Sequence, residues 1–307
     1  KETRRVTRAT VTAYREGIEE ASRCAPLELN YRRIEIAPIL KSLKNPGMRK
    51  EIERVNRRAL HHDSLAAVSK LTEIVDGRRR IVAHPPLVVR VDDVIEAEGS
   101  EGVIEFFDAY VASLPLHRQY LLNRYAVVDA AHKIVGVGSV VTRCMIVLLE
   151  SGDGHPLFLQ FKEAGPSVLE PYCSPSPFRE HGERVVQGQR HMQTMGDIFL
   201  GWSQLHREGF TRDFYFLQLW DGKGSFDTTI MRPPGLAMYA AVCGSLLALA
   251  HGRSREVATL AGYLGDERTF DEAVTAFAAG YADIVEDDHR AHEAAIASGR
   301  IAAVRDI

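Results

Sequence analysis

The stretch AVVDAAHKIVGVGSVVTRCMIVLLESGDGHPLFLQFKEA, residues 126–164, decides how this chain is read. It divides into three strand-like segments, AVVDAAHKIVGV, VVTRCMIVLLE and PLFLQFKEA, rich in β-branched and aromatic residues. Gly136-Val137-Gly138-Ser139 separates the first two, and Ser151-Gly152-Asp153-Gly154 makes a hairpin turn between the second and third. In FLQFKEA, strict alternation puts Phe158, Gln160 and Lys162 on one face of the strand. Leu157, Leu159 and Phe161 fall on the other. A lysine placed this way can line a cleft while apolar neighbours pack behind it.

Downstream, a Pro-rich loop (SPSPFREHG) leads into a helix over about 180–196. Strand-like segments follow at 197–202 and 213–219, then the loop Asp221-Gly222-Lys223-Gly224-Ser225. From Pro234 the pattern is helical, over about 235–251, 254–263 and 270–297. Upstream, residues 3–23 have an apolar face of Val6, Ala9 and Ala13 opposite Arg4, Arg8, Arg15 and Glu19, which predicts a helix. Residues 29–36 (LNYRRIEI) read as a short strand, and 47–60 as a charged helix after the Asn45-Pro46-Gly47 turn. A helix starts near Asp63-Ser64. It either runs through LTEIV or gives way to a hairpin, 71–75 with 79–83, around Asp76-Gly77. LVVRV after His84-Pro85-Pro86 returns to strand, and helical patterning resumes over about 101–125.

Composition sets the outer bounds. The chain has 307 residues, 45% hydrophobic and 26% charged, an ordinary globular balance that excludes disordered and low-complexity classes. Lys+Arg is 38 against Asp+Glu 41, so nothing marks a nucleic-acid partner bound through phosphates. Cys24, Cys144, Cys173 and Cys243 form no C-x-x-C pair, which fits a reducing cytoplasm. The apolar stretch Leu236–Ala250 is interrupted by Tyr239, Gly244 and Ser245, and reads as a buried helix of a soluble protein with no membrane partner. Lys1 stands where an initiator methionine would, so the chain is expected to be a fragment or a processed product.

The order strand, Gly-rich turn, strand, strand ending in Lys, helix with Glu, two strands, loop, long helix resembles the small lobe of a protein-kinase-like fold. That chemistry needs each part. A glycine turn lets backbone N–H groups approach phosphates with no Cβ in the way. A Lys on the third strand neutralises nucleotide phosphates, and a Glu on the next helix holds the Lys. The candidates are Gly136, Gly138 and Ser139 for the turn, Lys162 for the cation and Glu183 for its partner, with Glu163, Glu170 and Glu180 in competition. Each residue taken alone is as well explained by a hairpin turn, an exposed strand end or a helix-start charge. The ordered combination carries the reading.

Other polar clusters carry less. Asp288 and His292 sit one turn apart on a helix beside Asp287 and His289, but a solvated face explains them better than a metal site lacking a third ligand. His61-His62-Asp63 reads as a helix boundary, His132 as a strand residue, and His251 as closing the apolar helix. Ser139, Ser167 and Ser225 lack the elbow of a serine hydrolase.

The segments HDSLAAVSKLTEIVDGRRRIV, RYAVVDAAHKIVGVGSVVTRC, HPLFLQFKEAGPSVLEPY, HGERVVQGQRHMQ, RDFYFLQLWDGKGS and FAAGYADIVEDDH together resemble a bacterial family of uncharacterised proteins, domain of unknown function 2252. The resemblance extends over nearly the whole chain. It implies kinase-like architecture, and function by analogy from fold. The family turn reads V-G-V-G-S-V-G-T-R, but Val141 replaces its last glycine here, and His251-Gly252-Arg253-Ser254-Arg255-Glu256 replaces H-A-R-S-G-D. The family's G-D-x-H-x-x-N and N-D-F-D segments, which precede the glycine turn as if the kinase order were permuted, are not found in this sequence.

The resulting expectation is an α+β, protein-kinase-like chain, permuted and truncated, with a small antiparallel-sheet lobe embedded in a mainly helical chain. Residues 1–124 would be a helical part of a large lobe, 125–220 the small lobe, and 221–307 the hinge and helical remainder. The parent would bind ATP and magnesium and phosphorylate an unknown small molecule or protein, with residues 218–225 beside the base. This chain alone would lack its catalytic segment. The alternative is a noncatalytic binding or scaffold module using the same cleft.

Overall fold

The computed structural model describes residues 2–35, 46–60, 64–91, 101–134, 142–219 and 226–303. The chain is a mixed α+β protein with one six-stranded and one two-stranded antiparallel sheet. Its contacts gather into two compact units, one of residues 53–190 and 195–225, the other of 1–52, 191–194 and 226–307.

The first of these holds the sheets. The alternating segments around the quoted stretch become β4 (Tyr125–Lys133), β5 (Cys144–Ser151) and β6 (Pro156–Ala164). Helix α7 (His181–Met192) and strands β7 (Gly201–Arg207) and β8 (Phe210–Gln218) follow. With β3 (Val88–Arg90) at one edge, the strand order is β3-β4-β5-β6-β8-β7. The succession of three strands, a helix and two strands expected from sequence is therefore present, with β8 inserted between β6 and β7. The expected helix over 180–196 stops at Met192, and the strand expected at 197–202 begins only at Gly201. The Asp197 carboxylate accepts from the Phe199 and Gln218 N–H groups and ties the intervening turn to β8.

Alternation separates the two faces of the sheet. On one, Leu157, Leu159, Phe161, Phe214 and Phe216 meet Phe106, Tyr110 and Leu114 from α5 (Glu101–Ser113) and the residue after it. Tyr110 stacks on Phe216 with ring centroids 3.8 Å apart, and its hydroxyl donates to the Phe199 carbonyl at 2.8 Å. Burial of each such ring stabilises the fold by about 1.5–3 kcal/mol. The helical pattern over 101–125 resolves into α5 and a short α6 (Leu116–Leu122), broken at Pro115. On the other face, Ile146, Leu148 and Phe158 are covered by Val68 of α4 (Ser64–Leu71) and Ile81. The two readings of 64–83 resolve in favour of the hairpin. α4 ends at Leu71, and β1 (Thr72–Val75) pairs with β2 (Arg78–Ile81) across Asp76 and Gly77, both at positive φ as a two-residue turn of this kind requires. The buried Asp129 lies at a register shift in β4. It accepts from the Ile81 and Ala130 N–H groups and pairs with Arg80 at 3.1 Å, so its charge is fully partnered.

The second unit is helical. α1 (Glu2–Arg23) packs along α8 (Pro233–Gly252), and against α9 (Val257–Leu264) and α10 (Thr269–Ala297). Of the strand expected over 29–36, residues 29–35 do not form one, and residue 36 lies outside the described residues. Pro26, pre-set for a first helical turn, starts α2 (Pro26–Tyr31), which buries Leu29. The charged helix expected over 47–60 is α3 (Pro46–Leu60).

α8 is not the buried helix its apolarity suggests. Only Gly244, Ala248 and Gly252 are buried, while Leu246 and Leu247 are each 48% exposed. The buried positions recur every four residues and let the backbones of α1 and α8 approach closely. A Cβ on Gly244 would lie 2.2 Å from the Thr10 carbonyl oxygen, and one on Gly17 2.6 Å from the Ala248 Cβ. By length and composition α8 could cross a bilayer. His251, at its end, meets the Tyr14 hydroxyl through Nδ1 at 2.9 Å. Arg253 donates to the Met192 and Arg32 carbonyls and to the Thr194 hydroxyl. The polar run Asp287 to His292 is an exposed helix face, with Arg290 paired to Asp287 at 2.7 Å.

Candidate functional site

The face of the sheet that carries Lys162 is fixed by its neighbours. Lys162 lies directly opposite Cys144 on β5 and Tyr215 on β8, and Tyr215 opposite Trp202 on β7. Lys133 ends β4 one residue beyond the His132–Met145 pair, on the same face as Ala131, and so completes the rung on the far side of Cys144. Lys133, Cys144, Lys162, Tyr215 and Trp202 thus form one rung across five strands. Gln160 sits one step below, buried, and donates to the Cys144 sulfur at 3.1 Å.

α7 packs on this same face. Its Gly182 touches the sheet directly: a Cβ there would lie 2.3 Å from the Phe214 carbonyl oxygen and 3.2 Å from the Trp202 Cβ. The Asp213 carboxylate accepts from the His181 N–H and from Gln204. At the other end, Arg190 lies over the Trp202 ring and donates to the Leu200 carbonyl at 2.7 Å. Glu183, in the first turn of α7, is therefore on the same side of the sheet as Lys162. The two form no ion pair within 4.0 Å, and Lys162 has no carboxylate partner among the described residues.

The competing glutamates are otherwise engaged. Glu163 points to the opposite face, where it pairs with Arg212 at 2.8 Å and with Arg143 at 3.4 Å. Burial opposes its charge, but the Arg143 N–H, the Arg212 hydrogen bond and both guanidinium charges outweigh this and hold its carboxyl below the ordinary range. Glu170 accepts from the Ser167 N–H and approaches Arg184 at 4.0 Å. Burial, with the charges of Asp213 and Glu183, raises the Glu180 carboxyl above its ordinary value, and His206 and a Trp202 hydrogen bond offset this only in part. Glu180 lines a cavity of about 350 Å³ at the β7 edge with Glu105, Phe106, Trp202, Gln204 and His206. That cavity begins where the Lys162 rung ends.

Lys133 escaped the sequence reading. Burial lowers its pKa from the ordinary lysine value, against a small opposing influence of Cys144. The Cys144 thiol is itself pushed up by burial, with Lys162, Gln160 and Lys133 acting the other way. Gly136, Gly138, Ser139 and Val141 lie outside the described residues, as do 220–225 of the expected hinge. Within 218–219, backbone donors expected to face a base are already used: the Gln218 N–H bonds Asp197 and the Leu219 N–H bonds the Phe158 carbonyl. Among the described residues no group of three His, Cys, Asp or Glu side chains could hold a metal ion.

Fold and site together define an α+β protein with two lysines on one face of an antiparallel sheet, neither with a carboxylate partner among the described residues, beside a helix fixed to that face. The chain belongs to the family described as an uncharacterized protein conserved in bacteria, DUF2252, whose profile matches residues 1–295. No curated protein and no solved structure matches it.

Proposed function

We propose that the chain is a kinase-like, ATP-binding domain of the phosphotransferase type, with Lys162 as its phosphate contact. One observation carries the reading. Lys162, on the third strand of the array, lies on the face of the sheet against which the helix that carries Glu183 packs. An unpaired, half-buried lysine is suited to an anionic ligand, because a cation in such a place is otherwise left uncompensated. In this reading Gly136, Gly138 and Ser139 cover the phosphates and Glu183 orients Lys162 once a ligand draws the two together. Magnesium arrives with the nucleotide, since the described residues supply no ligand set for it. The substrate that would accept a phosphoryl group is a small molecule or a protein.

The test is calorimetric titration of ATP, with and without magnesium, into the chain and into its Lys162→Ala and Val141→Gly variants. Weak binding that Lys162→Ala abolishes and Val141→Gly strengthens supports the reading. Equal affinity for all three overturns it. The second reading, a noncatalytic scaffold with the same cleft, is favoured by the open Lys162–Glu183 arrangement and by the missing metal ligands among the described residues. Magnesium-dependent ATP turnover that Lys162→Ala removes would exclude it.

A further inference from the structure

Two lysines, not one, belong to the face of the sheet on which α7 packs. Lys133 and Lys162 stand on β4 and β6 with only Cys144 of β5 between them, so their backbones are about 10 Å apart, two inter-strand spacings. Both are partly buried, and neither has a carboxylate within ion-pair distance among the described residues. The acid next in sequence, Glu163, is turned to the opposite face and engaged by Arg143 and Arg212. The side chains beside the two lysines on this rung and one step below it include a thiol, a phenol and an amide: Cys144, Tyr215 and Gln160. None of these is an anion at neutral pH. Two cationic side chains rooted on one half-buried rung with a single residue between them suit a ligand that carries several negative charges. A lysine partly withdrawn from water and without an acidic partner among the described residues is a candidate contact for an anion.

We infer that Lys133 and Lys162 form a two-pronged site for a polyphosphate, in which Lys133 supplies the second grip. The inference rests on the nucleotide reading for the remainder of the ligand, and it specifies a chain of two or more linked phosphates. A polyphosphate distributes negative oxygens along its length and can engage cations rooted on two different strands at once. A single orthophosphate satisfies one of them. Lys133 is a binding residue here, equal in weight to Lys162.

The experiment titrates inorganic tripolyphosphate, orthophosphate and ATP, all with chelator present, into the full chain and into Lys133→Met, Lys162→Met and Lys133→Arg. Methionine keeps the apolar stem in place, and thermal melts confirm that each variant is folded. The expected result is tripolyphosphate binding that each Met variant weakens about tenfold or more, the scale of one lost charge-assisted contact, with Lys133→Arg close to the parent. Lys133→Met binding like the parent while Lys162→Met fails would overturn the inference and leave the nucleotide reading standing. Tripolyphosphate binding that needs both lysines, with ATP not binding, would keep the inference and remove the nucleotide reading. Orthophosphate binding as tightly as tripolyphosphate, or no binding of any of the three, would overturn the assignment to polyphosphate.

Discussion

Arg15 of α1 and Asp271 in the first turn of α10 make a two-point ion pair in the interior of the helical unit, Nε to Oδ1 at 3.0 Å and Nη2 to Oδ2 at 3.3 Å. Their side chains are 7% and 1% exposed. The Thr12 hydroxyl adds a third donor to Asp271 at 2.7 Å. The hydrogen bond and charge of Asp271 raise the Arg15 pKa against the opposing effect of burial. Removing one partner leaves the other charged and buried. Asp271→Ala is expected to destabilise by about 3–5 kcal/mol, and the Arg15→Ala/Asp271→Ala double variant by less than the sum of the singles. Urea unfolding of the four proteins measures it.

Close helix contact through small residues gives glycine substitutions of opposite sign. Gly244→Ala drives a Cβ into the Thr10 carbonyl, a backbone atom that cannot swing away. It should cost about 1–3 kcal/mol, the range of overpacked cores. Gly280→Ala in α10 meets nothing within 4 Å and should stabilise by about 0.5–1 kcal/mol through helix propensity. Thermal melts showing the same sign for both would contradict the packing described for α1 and α8.

Glu163 and Glu180 predict opposite pH dependences. Glu163 has a lowered carboxyl pKa in the fold, so it contributes stability that is complete above the ordinary glutamate value of about 4.3 and is lost as pH falls through the lowered one. Glu163→Gln should therefore be less stable than the parent at pH 7, the gap closing in acid. Glu180 has a raised pKa, so its ionised form carries a penalty that is complete above that raised value and absent below the ordinary one. Glu180→Gln should be the more stable protein at pH 7, and lose that advantage as pH falls below about 4. Denaturant midpoints between pH 3 and 7 decide both.

Thiol chemistry separates the four cysteines. All are free; Cys173 and Cys243 are exposed, Cys24 is half-buried and Cys144 is buried. A water-soluble disulfide reagent should modify Cys173 and Cys243 rapidly and Cys144 only after unfolding, since burial also disfavours its thiolate. Peptide mapping of the native protein identifies the sites. Rapid modification of Cys144 in the native protein would contradict its burial in the sheet.

The sheet was legible in the sequence because its signals are local. Alternation in FLQFKEA placed Lys162 correctly, and Asp76-Gly77 and Ser151-Gly152-Asp153-Gly154 marked real turns. Lys133 was not legible for a specific reason. The register of β4 shifts between Val127 and Asp129, so counting alternate residues from the start of that strand assigns Lys133 to the wrong face. The exposure of Leu246 and Leu247 was hidden in a different way. Apolarity along α8 suggested burial, whereas the contact is made by the glycines and alanine that contribute least to hydropathy. The strand pattern from residue 29 is overridden because Pro26, three residues upstream, starts a helix that runs through Tyr31.

In mechanical terms α7 is a beam fastened at both ends. Near its start, Gly182 rests on the backbone of β8 and Asp213 holds the His181 N–H; near its end, Arg190 is tied to the Leu200 carbonyl and lies on Trp202. A beam held this way cannot slide or swing by itself. Any rearrangement that brings Glu183 onto Lys162 must twist β7 and β8 along with the helix, or be made by the two side chains alone. Any approach of Glu183 to Lys162 is thus coupled to the shape of the sheet, whose opposite face is packed against α5.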